Sequence, residues 1–162
     1  MKMIETINQY AREYIYPPKK ERIASRGLVI ENGKILLSYE KNTGVYMTPG
    51  GGLEGGETLE ECCVRELKEE TGCIVNPLKE FFIINEYCDE TLYISNYFLC
   101  EKTGMSNQSL TDIEIEHGIT PVWTEIDDAL KIFGEYRSKS ADIASLYLRE
   151  FTVLNKYLNY NK

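Results

Sequence analysis

Residues 51–73 read Gly51-Gly52-Leu53-Glu54-Gly55-Gly56-Glu57-Thr58-Leu59-Glu60-Glu61-Cys62-Cys63-Val64-Arg65-Glu66-Leu67-Lys68-Glu69-Glu70-Thr71-Gly72-Cys73. Seven glutamates fall between positions 54 and 70, opposed only by Arg65 and Lys68. From Thr58 onward the spacing predicts a helix. Leu59, Cys63, Val64 and Leu67 recur at three- and four-residue steps and make an apolar stripe. The glutamates after Thr58 put negative charge in the first turn, where the helix dipole favours it. Gly72 stops the helix, because glycine adopts the left-handed conformation of a C-terminal cap.

On such a helix Glu66, Glu69 and Glu70 stand at i, i+3 and i+4. At roughly 100° per residue they share one face, beside the apolar stripe. A glutamate-rich helix taken alone is most often a solvated face. Here, however, like charges one turn apart repel each other, and the spacing argues that a cation relieves them. Three carboxylates are hard oxygen ligands of the kind Mg²⁺ takes alongside water and substrate phosphates. The preceding Pro49-Gly50-Gly51-Gly52 has little side-chain bulk, so its backbone can approach a metal or phosphate closely. Glu57 precedes Arg65 by eight residues, just over two turns. An ion pair between them would tie the loop to the helix.

At this point the chain resembles the Nudix hydrolases. Their box is Gly, five residues, Glu, seven residues, Arg-Glu, an aliphatic residue, any residue, Glu-Glu, any residue, Gly and an aliphatic residue. Eight of the nine specified positions match across 51–73, and the ninth, the closing aliphatic, is Cys73. Cysteine packs as a small hydrophobe, so that departure is mild.

The resemblance implies hydrolysis of a diphosphate linkage in a nucleoside diphosphate joined to a further group X. Glu66, Glu69 and Glu70 are then the expected ligands of Mg²⁺ or Mn²⁺, with the Gly51 carbonyl beside them. Arg65 orients a glutamate, and Glu57 is structural. The general base is left between the box residues Glu66 and Glu69 and the later Glu114 and Glu116. Of the later pair, Glu116 is the expected contributor. His117 reads as a solvent-exposed loop residue. A non-catalytic nucleotide-binding or sensing module is the alternative, although such domains commonly lose box glutamates and this chain keeps them all.

The substrate is read from what lies outside the box. Residues 36–40 lack the arginines of the coenzyme A pyrophosphatases. No proline falls between Pro77 and Pro121, where many ADP-ribose hydrolases carry one, and the zinc ribbon of NADH diphosphatases is absent. Nucleoside triphosphates and nucleotide sugars remain. Tyr46, Tyr87 and Tyr97 are candidates to stack on a base, and more plausible as packing residues of the sheet.

Around the box, Ile4, Ile7, Ala11, Tyr14 and Ile15 have helical spacing, and Pro17-Pro18 end that segment. This predicts an N-terminal helical extension over about 3–16, followed by a basic hinge at 19–22. Strands are expected at 23–30 and 34–39 around an Asn32-Gly33 turn, at 44–48, 78–87, 92–101 and 121–123. Residues 104–118 read as a mobile polar loop. Helices follow at about 126–133 and 139–159, the last with Ile143, Leu146, Tyr147, Phe151, Leu154 and Leu158 inward. The pattern is α/β. It predicts one domain over 1–162, an α/β/α sandwich around a mixed β-sheet, which is also the fold the resemblance implies.

The net charge of −8 opposes binding to a nucleic-acid duplex, while divalent cations still permit a nucleotide substrate. No apolar run approaches membrane-spanning length. Five cysteines without a Cys-x-x-Cys pair suggest reduced thiols and a cytoplasmic protein. A homodimer is left open.

Overall fold

The computed structural model describes residues 3–160, so both ends of the expected 1–162 domain lie outside the described residues. The strands, in chain order, are β1 (Glu5–Tyr14), β2 (Lys20–Glu31), β3 (Lys34–Glu40), β4 (Val45–Met47), β5 (Gly50–Gly52), β6 (Cys73–Asp89), β7 (Thr91–Met105) and β8 (Ile119–Glu125). The helices are α1 (Leu59–Thr71), α2 (Asp112–His117), α3 (Ile126–Gly134) and α4 (Ala141–Tyr160). The eight strands form one mixed sheet in the order β1-β6-β7-β2-β3-β4, with β5 on β2 and β8 on β3. β1 runs parallel to β6 and β2 parallel to β7, while the other pairs are antiparallel.

Strand alternation divides the interior into two layers. On one face, Leu28, Ile35, Leu37 and Tyr97 pack with Phe133 of α3 and Tyr147, Val153 and Leu154 of α4. On the other, the neighbouring Val29, Leu36 and Phe98 pack with Cys63 and Leu67 of α1. The result is the expected α/β/α sandwich. Gly27 lets α1 settle closely on β2, since a Cβ there would stand 2.6 Å from Leu67 Cδ2.

The N-terminal extension is corrected by the structure. Residues 5–14 form a strand, and Glu5–Tyr10 pair in parallel with Phe82–Tyr87. Ile7, Gln9 and Ala11 turn inward with period two. The free edge of β6 supplies backbone partners that an isolated helix would have to supply itself. Tyrosines and β-branched residues also suit a pleated surface. The expected hinge at 19–22 is largely the start of β2, where Lys20–Arg22 pair with Thr91–Tyr93. The 104–118 segment is also more ordered than expected. β7 extends to Met105, and α2 carries a capping box between Thr111 and Glu114. The Asn32-Gly33 hairpin forms as read, with both residues at positive φ (51° and 76°).

Candidate active site

Both ends of α1 are fixed by the residues the sequence supplies there. The Thr58 hydroxyl accepts from the Glu61 amide (3.1 Å), and the Glu61 carboxylate accepts from the Thr58 amide (2.9 Å). Gly72 closes the helix at φ 74°, with its amide bonded to the Lys68 carbonyl. This registration lays Arg65, Glu66 and Glu70 against β5.

Arg65 organises the site. Its Nε donates to Glu57 Oε1 (2.5 Å), and Nη2 donates to Glu57 Oε2 (3.1 Å) and the Gly52 carbonyl (3.1 Å). Nη1 reaches Glu66 (2.8 Å) and Glu69 (3.3 Å). The anticipated Glu57–Arg65 pair is therefore present and bidentate. The hydrogen bonds from Arg65 pull the Glu57 carboxyl down to a pKa of about 2, and Glu57 in turn raises that of Arg65.

Glu66 lies directly over the glycine strand. A Cβ on Gly51 would stand 2.5 Å from the Glu66 carboxyl carbon, so only glycine lets this carboxylate sit so close. Burial pushes its pKa up, and Arg65 opposes that shift. Glu70 turns further inward, is only 3% exposed and accepts from the Gly50 amide at 3.1 Å. Burial raises its pKa to about 7, countered by that amide and by the Arg26 charge. The Gly51 carbonyl already accepts weakly from the Cys62 thiol (3.5 Å). Burial holds that thiol up at about 11, which fits a packing role.

The segment after β7 is bound to the end of α1. The Ser109 amide donates to the Glu69 carbonyl (2.7 Å), Gln108 Nε2 to the Glu70 carbonyl (2.6 Å) and the Ser106 amide to the Gly72 carbonyl (2.6 Å). These bonds satisfy carbonyls that a helix end leaves open. α2 follows and brings the Glu114 charge near enough to raise the pKa of both Glu66 and Glu70. Glu116 is exposed, and Asn42 bonds its backbone carbonyl. His117 Nδ1 lies 3.4 Å from Glu40.

Two features escaped the sequence reading. Arg22, assigned to a hinge, stands beside the glycine strand, where a Cβ on Gly52 would meet its guanidinium at 3.3 Å. Arg149 and Glu150 of α4 are buried, although the helical pattern pointed to its apolar residues alone. Glu150 accepts from the amide and hydroxyl of Thr48 (3.2 and 2.9 Å), anchoring the strand that leads into Pro49 and the glycines. A charged pair on an otherwise inward face was the available signal. The tyrosines proposed for stacking are engaged. Tyr97 is fully buried, Tyr46 stacks on Tyr39 and Tyr87 stacks on Tyr10.

A NUDIX domain model matches residues 21–143. The chain belongs to the Nudix family. An ADP-ribose pyrophosphatase of Methanocaldococcus jannaschii is 46% identical over 66 residues, 39% of this chain and 37% of that protein. A putative ADP-ribose pyrophosphatase of Bacillus subtilis is 30% identical over 107 residues, 63% of this chain and 50% of that protein. These matches thus span half or less of the relatives' own length. A NUDIX hydrolase structure from Nitrosomonas europaea superposes with a TM-score of 0.62 at 22% identity, covering 83% of this chain and 90% of that one. That likeness concerns the fold.

Nudix membership implies a divalent cation. Among the described residues, no three acidic, histidine or cysteine side chains stand close enough to enclose an ion by themselves. The donor chemistry nonetheless fits. Mg²⁺ needs only one or two carboxylates and fills its shell with water and substrate phosphates. Glu66 and Glu69 share one guanidinium nitrogen, and Glu66 occupies the space above Gly51 that any side chain there would fill.

Proposed function

We propose that this Nudix chain hydrolyses the diphosphate linkage of a nucleoside diphosphate derivative with Mg²⁺ or Mn²⁺. The observation that carries this reading is the seating of Glu66 over Gly51 while Arg65 holds Glu57, Glu66 and Glu69 together. Glu66, Glu69 and Glu70 are the proposed ligands. When bound, the metal neutralises the anionic oxygens and lowers the pKa of the attacking water.

Arg65 is a positioning residue. Its Nη1 holds Glu66 and Glu69 together, with Glu66 over Gly51. Glu70 is held by the Gly50 amide and extends the ligand set toward the strand. Glu70 would hold a cation in its ionised form, which positive charge nearby would favour over the protonated one. The proton of the water passes to a carboxylate. We assign that role to Glu114, whose charge already acts on Glu66 and Glu70. Glu116, the sequence-based expectation, is exposed, whereas Glu114 is half-buried.

The reading is tested by phosphate release over a panel of nucleoside diphosphate derivatives, with Mg²⁺ and with EDTA. Activity should require the metal. Glu66→Gln and Glu69→Gln should each lower kcat at least about 100-fold, near 3 kcal/mol of barrier. Near-wild-type rates in both would overturn the assignment. Glu114→Gln keeps the cap of α2, since glutamine can also close a capping box. It should lower kcat far more than it changes KM, and more than Glu116→Gln does.

A further inference from the structure

β4 ends the strand order of the sheet, so one of its edges has no strand partner. α4 takes that place with side chains. The Tyr147 hydroxyl accepts from the Tyr46 amide (3.1 Å), and Glu150 Oε1 accepts from the Thr48 amide (3.2 Å). Amides of alternate strand residues point to the same edge, and residues three apart on a helix share one face. Helix and strand edge therefore meet at two successive points. Glu150 also accepts from the Thr48 hydroxyl, which lies 2.9 Å from both of its oxygens. From β2, Arg26 Nη1 donates to the Thr48 carbonyl (2.8 Å). Charged side chains thus hold the amide, the carbonyl and the hydroxyl of one residue, and Thr48 and Glu150 are only 2% and 1% exposed.

Apolar packing alone would not call for this arrangement. Arg149 Nη2 (3.0 Å) and the Tyr97 hydroxyl (3.4 Å) are further donors to Glu150. Taking such ions out of water is costly, and well-packed apolar residues often stabilise a fold as well or better. Apolar burial, however, has no preferred direction, whereas a charged hydrogen bond fixes direction as well as distance. What the ions secure around Thr48 is a position.

That position matters within the next three residues. Pro49 follows with its fixed φ, and its carbonyl accepts from the Gly27 amide (3.1 Å). The Gly50 amide donates to Glu70 (3.1 Å), and Gly51 lies against the Glu66 carboxylate. A glycine strand displaced toward α1 would collide with Glu66. One displaced away from α1 would leave Glu70 without its amide.

We infer that Glu150 is a positioning residue of the site, which sets the glycine strand through Thr48 and so places Glu66 and Glu70. For its effect on rate the inference rests on the hydrolase reading. For its effect on the two carboxylates it rests on the geometry.

Thr48→Val removes the hydroxyl and nearly keeps the shape, Thr48→Ser keeps the hydroxyl, and Glu150→Asp keeps the charge beside Arg149 but withdraws it from Thr48. Three measurements test them: hydrogen exchange of the 50–52 amides without metal, Mn²⁺ affinity by electron paramagnetic resonance, and kcat and KM in saturating Mg²⁺. Thr48→Val should quicken that exchange, weaken Mn²⁺ binding and lower kcat, each about tenfold, as misplacement without lost chemistry does. KM should change less than about twofold. Thr48→Ser should recover most of all three, and Glu150→Asp should resemble Thr48→Val. The threonine pair decides the matter even where Glu150→Asp does not fold. Unchanged exchange and Mn²⁺ binding in Thr48→Val, with only the urea midpoint lowered, would overturn the inference, as would a serine that fails to rescue. The hydrolase reading fails separately. Wild-type protein that hydrolyses no compound, while exchange and Mn²⁺ binding respond as stated, would remove that reading and keep the positioning role. Hydrolysis and Mn²⁺ binding that Thr48→Val leaves intact would do the reverse.

Discussion

Arg65 touches Glu57, Glu66, Glu69 and the Gly52 carbonyl at once, so its loss should be felt through all of them. Reversing Glu57 and Arg65 together should recover part of the activity that either single reversal loses, and a double-mutant cycle on kcat/KM measures that coupling. The pair also gives a pH signature. The folded Glu57 pKa, about 2, lies below the ordinary value of 4.5. Its contribution to stability is therefore complete above 4.5 and is lost as pH falls toward 2. Acid unfolding of Glu57→Gln should consequently show less pH dependence in that window than the wild type. Glu70 has the opposite sign. Its folded pKa of about 7 exceeds 4.5, so between these values the folded state keeps a proton the unfolded chain has lost. Stability of the metal-free protein should decline as pH rises through this window, and Glu70→Gln should flatten the decline in denaturant titrations with EDTA. Gly51→Ala would place a methyl group against the Glu66 carboxylate. We expect a large fall in kcat with little change in melting temperature. Each of these residues was named from the sequence, because the box motif lies on one helix and one short loop.

At the scale of elements, α1 shows how local rules place a site. Its capping residues, apolar stripe and terminating glycine all lie within fifteen residues of one another, and the helix forms where they put it. The 106–111 segment obeys different rules. It contains polar residues without periodicity, and its order comes from bonds to the end of α1. Those bonds join residues far apart in sequence and leave no local mark. α2 did leave one, since Thr111 and Glu114 have capping-box spacing. Removing that cap by Thr111→Ala should cost about 1 kcal/mol of helix stability. Hydrogen exchange should then quicken across 112–117 while the amides of α1 stay protected. β1 is the reverse case, in which helical spacing was real but a neighbouring strand edge outweighed it.

Across the whole molecule, the site is coupled to the fold through the smaller of the two apolar layers. Leu67, one residue beyond Glu66, is fully buried against Val29, Leu36 and Phe98. Leu67→Ala should cost about 2–5 kcal/mol in urea unfolding. The other layer carries a polar seam in which Glu150 of α4 grips Thr48 beside the glycine loop. A cavity of about 490 Å³ is lined by β2, β5, β6, β7 and α4 together. No helix of the described residues is long and apolar enough to cross a membrane.

The sequence alone determined the box helix, its terminating glycine, the Glu57–Arg65 pair, the Asn32-Gly33 hairpin and the sandwich class. These follow from hydrophobic period, turn chemistry and side-chain reach over a few residues. Tertiary structure alone decided that residues 5–14 become a strand, since the open edge of β6 is supplied by residues 82–87. It also decided that Glu70 is buried and that Arg22 and Arg149 line one cavity. Those outcomes depend on burial and on contacts between residues up to more than a hundred positions apart, which no local pattern encodes.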